Sequence, residues 1–166
     1  MAEQTPAPTN RLPLIAAGLA VLGLAVSIYL TIVHYSSLPL ICLVGTTGCE
    51  EVNRSIYSEV AGVSVALLGA GAYAALLAAL WAERQAILKE PEAVLAQFGV
   101  ALAGALFSLY LTYVELFVLG AVCSWCVLSA LTITAIFALS VVRLRALLAA
   151  QDAPPARGKA RRGKQR

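Results

Sequence analysis

Charge is scarce in this chain. Lys, Arg, Asp and Glu make up 13% of its 166 residues, against 60% hydrophobic residues. That balance leaves too little polar surface to clothe a soluble domain of this length, which excludes the water-soluble globular classes. The charge that exists avoids long apolar stretches running from about Leu12 to Val33, Val60 to Ala82, Ala93 to Leu119 and Val122 to Val142. The first and the last of these carry no charge, and the third carries only Gln97 near one end and Glu115 near the other as strongly polar groups. Each stretch is close to the ~20 residues that a helix needs to cross the hydrocarbon core. The expected fold class is therefore an all-α integral membrane protein, a bundle of four spanning helices.

Other absences narrow the reading further. Residues Met1 to Asn10 lack the basic start of a secretory signal and read as a flexible polar lead into an uncleaved first helix. No internal repeat is recognisable. The tail from Gln151 to Arg166 contains Pro154-Pro155 and a basic run with no apolar spacing, so it reads as disordered. With no aromatic or folded module beside it, that run reads as a topology determinant attracted to anionic headgroups rather than a nucleic-acid site. The expected organisation is a flexible N-terminus over 1–10, a membrane domain over 11–145 and a basic tail over 146–166.

Lys and Arg are also unevenly placed. Arg143, Arg145, Arg157, Lys159, Arg161, Arg162, Lys164 and Arg166 follow the fourth stretch, Arg84 and Lys89 lie between the second and third, and Arg11 precedes the first. Only Arg54 lies in the segment from His34 to Glu59. The positive-inside bias puts both termini and the Arg84–Lys89 turn in the cytoplasm, with the His34–Glu59 loop and the link near Gly120 outside. Cysteine is absent from the cytoplasmic side. The four present, Cys42, Cys49, Cys123 and Cys126, all fall outside, which in a bacterium is the oxidising face where disulfides form and persist.

Cys123-Ser124-Trp125-Cys126 is a CxxC at the head of the last apolar stretch. Such a spacing brings two sulfurs within bonding reach and can lower the pKa of one, which suits reversible thiol–disulfide exchange. On a helix the two share a face, with Cys126 about 4.5 Å deeper along the axis. The deeper sulfur is the natural donor to a lipid-soluble acceptor, and the shallower one the natural target for a thiolate arriving from the loop. In the loop, Gly45 and Gly48 are expected to loosen the stretch between Cys42 and Cys49 and let Cys49 move. Val52, Ile56 and Val60 recur at four-residue spacing, which predicts a short amphipathic helix lying at the interface. Spacing alone leaves three readings open: a redox relay, two static disulfides in a non-enzymatic tetraspan protein, and a four-thiolate zinc site. Structural zinc is disfavoured at a lipid surface with no polar second shell.

The Cys pair in the first outer loop, the run Gly62-Val-Ser-Val-Ala-Leu-Leu-Gly69 and the CxxC at the last span together resemble the bacterial vitamin K epoxide reductase family over Leu12 to Val142. The DsbB family shares four spans and two pairs, but there the CxxC comes first. The resemblance implies a four-helix bundle around a quinone, ubiquinone or menaquinone, with electrons arriving from a thioredoxin-like partner. It implies that Cys42 exchanges with the partner, that Cys49 shuttles to Cys123, and that Cys126 adjoins the quinone. Ser55 matches a Ser or Thr near the active site of the family. An Asn and a Tyr that bind quinone carbonyls in the vertebrate enzymes align with Val65 and Ala130 here, with Ser64 and Ser129 adjacent as substitutes. This departure favours a quinone-dependent thiol oxidase that re-oxidises a periplasmic DsbA-like protein over its alternative, a vitamin K quinone or epoxide reductase. Many bacterial relatives carry a fused thioredoxin domain, whereas this chain ends in a basic tail, so a separate periplasmic partner is expected.

Glu115, an ionisable group inside a span, is a candidate for proton handling. Trp125 is a candidate for covering the quinone pocket or anchoring at the interface. His34 reads as an interfacial polar residue, and Tyr29, Tyr73 and Tyr110 as packing residues. Gly69, Gly71, Gly99 and Gly104 are expected at close helix contacts.

Overall fold

The structure is a computed structural model that describes residues 11–36, 39–42 and 48–152. Its long helices are α1 (Leu12–Tyr35), α3 (Val65–Arg84), α4 (Glu90–Tyr113) and α5 (Ser124–Asp152), and α4 continues through a π-helical turn, Val114–Leu119. All four are long and apolar enough to cross a membrane. The chain is a multi-pass membrane protein of the all-α class.

Local chemistry sets the helix ends. Proline stands in the first turn of both α1 and α4, where its missing N–H costs nothing. Glu92 Oε2 accepts the Lys89 backbone N–H at 3.4 Å, satisfying one of the donors that a helix start leaves orphaned. The π-helical turn closes on Gly120, which is left-handed at φ 63°, a conformation that glycine adopts without the Cβ penalty.

The helices form a ring in which α1 packs on α3 and α5, and α4 packs on the same two. Ala20, Tyr73, Leu76, Ala101, Ile133 and Ile136 make the central core. Large apolar side chains such as Leu14, Ile32, Leu109, Leu131 and Val142 point outward. That is the arrangement expected where the surroundings are hydrocarbon and helices satisfy their own backbone groups.

Small residues let the helices approach. A Cβ on Gly23 of α1 would lie 2.2 Å from the Tyr73 ring, and one on Gly104 of α4 would lie 2.9 Å from Ile133. Gly69 lies similarly close to the Ser27 hydroxyl, but Gly71 and Gly99 have nothing within 4 Å, so they do not serve helix contact as expected.

At the end of the bundle away from the cysteines, Arg143 of α5 bonds Gln97 Oε1 at 2.8 Å and also Glu83 of α3, while Gln97 Nε2 donates to Glu83 Oε2 at 3.1 Å. This closed triangle ties three helices through two charges largely removed from solvent.

The first loop differs from expectation. Its helix, α2, is Gly48–Asn53 and contains Cys49; it does not run from Val52 to Val60. Ser55 ends it: the residue is extended (φ −71°, ψ 159°), and its hydroxyl donates to the Val52 carbonyl at 2.8 Å. A 3-10 turn, Ile56–Ser58, follows. Then comes a two-stranded hairpin of β1 (Glu59–Val60) and β2 (Val63–Ser64), turning through Ala61 and Gly62 at φ 53° and 79°. Positive φ at both turn residues is the geometry whose twist suits a two-residue hairpin loop. Ile56 is consequently 85% exposed rather than part of one apolar helix face. The second span starts at Val65 rather than Val60, and α5 extends to Asp152, so 146–152 is helical where a disordered tail was expected. Gly45 and the remaining expected tail, 153–166, lie outside the described residues.

Candidate functional site

All four sulfurs gather at one end of the bundle. Cys42 and Cys49 are joined as a disulfide with Cα atoms 5.9 Å apart, and Cys123 and Cys126 are free thiols. Their burial differs. Cys49 and Cys123 are both 0% exposed, whereas Cys42 and Cys126 are partly exposed. Cys49 Sγ lies 3.5 Å from the hydroxyl of Ser124, the residue after Cys123. The sequence distance of 75 residues between Cys49 and Ser124 is thus closed by α2 docking on the head of α5.

The head of α5 suits thiolate chemistry. The Cys123 carbonyl accepts the Val127 N–H at 3.0 Å, which makes Cys123 the cap residue of the helix. Its sulfur accepts the Cys126 backbone N–H at 3.3 Å. A sulfur in that place faces orphaned N–H groups and the positive end of the helix dipole, both of which favour the thiolate over the thiol.

Glu115 is the buried acid of the site. Its Oε2 accepts the Cys123 N–H at 3.1 Å, and its carboxyl also lies within hydrogen-bonding reach of the Cys126 thiol. Its backbone carbonyl accepts the N–H groups of Gly120 and Ala121. The π-helical turn that carries Glu115 therefore holds the link into the CxxC from both its main chain and its side chain. Such turns recur at functional positions of helices.

Beneath the CxxC lies a half-open cavity of about 420 Å³ lined by α1, α2, the 3-10 turn, α3, α4 with its π-helical turn, and α5. Its wall is largely apolar, built at helical spacing: Val65, Gly69 and Tyr73 on α3, Gly104, Phe107 and Leu111 on α4, and Cys126, Ser129, Ala130 and Ile133 on α5. Polar groups enter at few points. Tyr73 donates its hydroxyl to the Ser129 carbonyl at 3.0 Å and lies 3.1 Å from the Ser129 hydroxyl. Ser55 and Glu115 also reach the wall. A mostly apolar pocket with a few convergent polar groups is the usual form of a small-molecule site.

The expected site residues divide accordingly. Cys126, Ser55, Ser129 and Glu115 line the cavity, as do Val65 and Ala130, while Ser64 and Trp125 are not among its lining residues. Ser64 is buried, and its hydroxyl has no hydrogen-bond partner among the described residues. Trp125 faces the loop instead: its Nε1 donates to the Ile41 carbonyl at 2.9 Å, and its ring packs on Tyr29 with centroids 5.1 Å apart. The Ser55 hydroxyl spends its proton on Val52, which leaves it an acceptor rather than a donor toward a ligand oxygen. His34 joins elements, with Nδ1 3.0 Å from the Asn53 carbonyl and Nε2 3.1 Å from Glu59 Oε1. Tyr73, read from sequence as packing, is a cavity residue. Its place in the four-residue series Val65, Gly69, Tyr73 was the available signal. Among the described residues, no group of three or more His, Cys, Asp or Glu is placed to hold a metal ion.

The structure is a membrane-spanning bundle with two cysteine pairs at one end, above a largely apolar cavity. The sequence model of the Vitamin K epoxide reductase family matches residues 14–141, and the chain belongs to that family. Membership supports a membrane, quinone-linked disulfide oxidoreductase in general terms. Comparison with curated proteins returned no match.

Proposed function

We propose that the protein is a quinone-dependent thiol oxidase of the bacterial cytoplasmic membrane that re-oxidises a periplasmic DsbA-like, thioredoxin-fold protein. The observation that carries this reading is the order of the sulfurs in space. Cys42 is partly exposed, Cys49 is buried against the head of α5 where Cys123 is also buried, and Cys126 alone of the four lines the cavity. The charge bias of the chain supports the cysteine end facing the periplasm and both termini facing the cytoplasm.

The cavity would hold a quinone head against apolar wall residues such as Val65, Phe107 and Ile133, with the Ser129 hydroxyl as a polar group for its oxygens. A bound quinone, ubiquinone or menaquinone, supplies an acceptor for two electrons and two protons. The cysteines deliver the electrons by exchange. A partner thiolate attacks Cys42, and Cys49 leaves as the inner thiolate. The second partner thiol releases Cys42, and Cys49 attacks Cys123 of an oxidised CxxC, expelling Cys126 as a thiolate into the cavity wall. Cys42 then attacks Cys49, restoring the loop disulfide and leaving Cys123 and Cys126 as a dithiol. The bonded loop pair with two CxxC thiols corresponds to the point just before electrons leave. Glu115, within reach of the Cys126 thiol, accepts its proton and holds it at the cavity wall.

Reduction of vitamin K or its epoxide is the second reading. Val65 and Ala130, at the positions of the vertebrate Asn and Tyr, bring no donor to the wall, which favours the oxidase. The test follows quinone absorbance in detergent-purified protein supplied with a reduced DsbA-like protein, for wild type, Cys126→Ala and Cys42→Ala. The expected result is quinone reduction by wild type alone. No turnover with either quinone, with the loop disulfide resisting reductant, would leave a tetraspan scaffold with static sulfurs.

A further inference from the structure

The segment Val122–Trp125 meets the loop disulfide at both of its ends. At the Cys49 end, a Cβ on Gly48 would lie 2.7 Å from the Val122 carbonyl oxygen and 2.9 Å from its nitrogen. These are backbone atoms, and no rotamer change removes them. Glycine is thus the residue that lets the start of α2 touch the chain beside Cys123, and the next residue is Cys49, whose sulfur reaches Ser124. At the Cys42 end, Trp125 holds the carbonyl of Ile41 at 2.9 Å. The ring packing on Tyr29 keeps that indole in place.

We infer that Gly48 is a positioning residue for sulfur exchange between Cys49 and Cys123, with Trp125 holding the Cys42 end of the loop on the same segment. The inference rests on the relay proposed above and adds what sets its reach. Gly48 fixes Cys49 in place by removing a side chain that would push α2 off the head of α5. The exchange itself is redox-neutral. The Cys123 thiolate attacks Cys49, the Cys49–Cys123 bond forms as Cys42–Cys49 breaks, and Cys42 leaves with the bonding pair and takes up a proton from solvent. In the working cycle the same step runs in the opposite direction.

The test isolates that step in Cys126→Ala protein, purified in detergent with the loop disulfide formed. A jump from acidic to neutral-alkaline pH starts exchange, acid with a maleimide stops it, and mass spectrometry counts the peptide linked through Cys49 and Cys123. Adding Gly48→Ala is expected to slow formation of the linked peptide by about tenfold or more, since misplacement by ~1 Å can cost two orders of magnitude. Reduction of Cys42–Cys49 by dithiothreitol, which attacks from outside at Cys42, is expected to stay within about twofold; a displaced but folded helix leaves that sulfur open. Trp125→Phe, which keeps a ring on Tyr29 but loses the N–H, is expected to slow exchange about fivefold, the scale of one hydrogen bond. Unchanged exchange in Gly48→Ala overturns the inference, and so does an equal slowing of exchange and of dithiothreitol reduction, which would mark a general loss of structure. Should Gly48→Ala not be recovered folded, Trp125→Phe decides, and exchange at the parent rate refutes the shared cradle. Absence of any linked peptide with Gly48 intact sinks the relay itself, a separate failure.

Discussion

Replacing Glu115 separates its hold on the Cys123 backbone from the proton handling proposed for it. Its carboxylate accepts the Cys123 N–H at 3.1 Å and lies within reach of the Cys126 thiol at the cavity wall. Glu115→Gln keeps an acceptor oxygen for the N–H in a side chain of the same length, but it cannot carry a proton. Glu115→Leu removes both functions and leaves the Cys123 N–H buried without a partner, at a cost of about 1–3 kcal/mol. The Gln variant should therefore unfold within about 1 kcal/mol of wild type, because a neutral hydrogen bond replaces a charge-assisted one. Its rate of quinone reduction should fall by about a hundredfold, the lower end of what a positioned proton acceptor supplies. Alkylation of Cys126 by iodoacetamide in quinone-free protein should quicken instead, since the Cys126 thiolate no longer forms beside a carboxylate of like charge. The assays are thermal unfolding in detergent, stopped-flow quinone absorbance and mass-resolved alkylation. Wild-type turnover in Glu115→Gln, with a Leu variant that is merely unstable, would refute proton handling and leave Glu115 as a backbone clamp.

The remaining predictions concern other parts of the bundle. Glu83→Ala should destabilise the protein by about 3–5 kcal/mol, measured by denaturation in mixed micelles, because Arg143 would stay buried without its counter-ion. Gln97→Leu should cost less, about 2 kcal/mol in the same assay, since the Arg143–Glu83 pair survives. Gly23→Val should collapse the cavity floor, because its Cβ would overlap the Tyr73 ring; the readout is loss of quinone binding by fluorescence quenching. In Cys126→Ala, a reduced dithiol partner should reduce the loop disulfide once and then stop, as followed on non-reducing gels, whereas a static disulfide would resist even that first reduction.

The spans were legible because a membrane helix announces itself by length and composition alone, and errors at their edges came from local chemistry. Val60 belongs to a hairpin because Ala61 and Gly62 turn the chain there, and an apolar count cannot see a turn. The four-residue spacing of Val52, Ile56 and Val60 suggested a helix, but Ser55 caps the chain between them by bonding back to Val52. The sulfurs were legible as pairs; which of them touch is a matter of tertiary contact. Gly48 illustrates the difference. From sequence a glycine beside a cysteine reads as freedom, yet here it is the first residue of α2, buried, with its Cα against the main chain of Val122. From sequence, Trp125 is a candidate for the cavity because it sits inside the CxxC. On a helix, however, the residue before Cys126 points about 100° away from it, toward the loop.

The burial pattern also bears on why a relay would need four cysteines rather than two. A periplasmic dithiol that reached Cys123 directly would reduce the CxxC without the loop, and any oxidised thiol-bearing protein could draw electrons back out by the same route. With Cys123 at 0% exposure beneath α2, that route is closed while the loop sits on the head of α5. In the proposed relay, exchange would then have one external address, Cys42, and one internal one, Cys49. The geometry turns a chemistry that is promiscuous among thiols into a directed path, since thiolates attack whichever disulfide they can reach. Access is a stronger filter here than intrinsic reactivity. A helix start that favours the Cys123 thiolate would otherwise make it the most reactive target in the protein. It follows that loosening α2 should do more than slow transfer: Gly48→Ala should expose Cys123 to maleimide in native, quinone-free protein, where the wild-type residue is protected. Protection of Cys123 in that variant would mean that something other than α2 covers the head of α5.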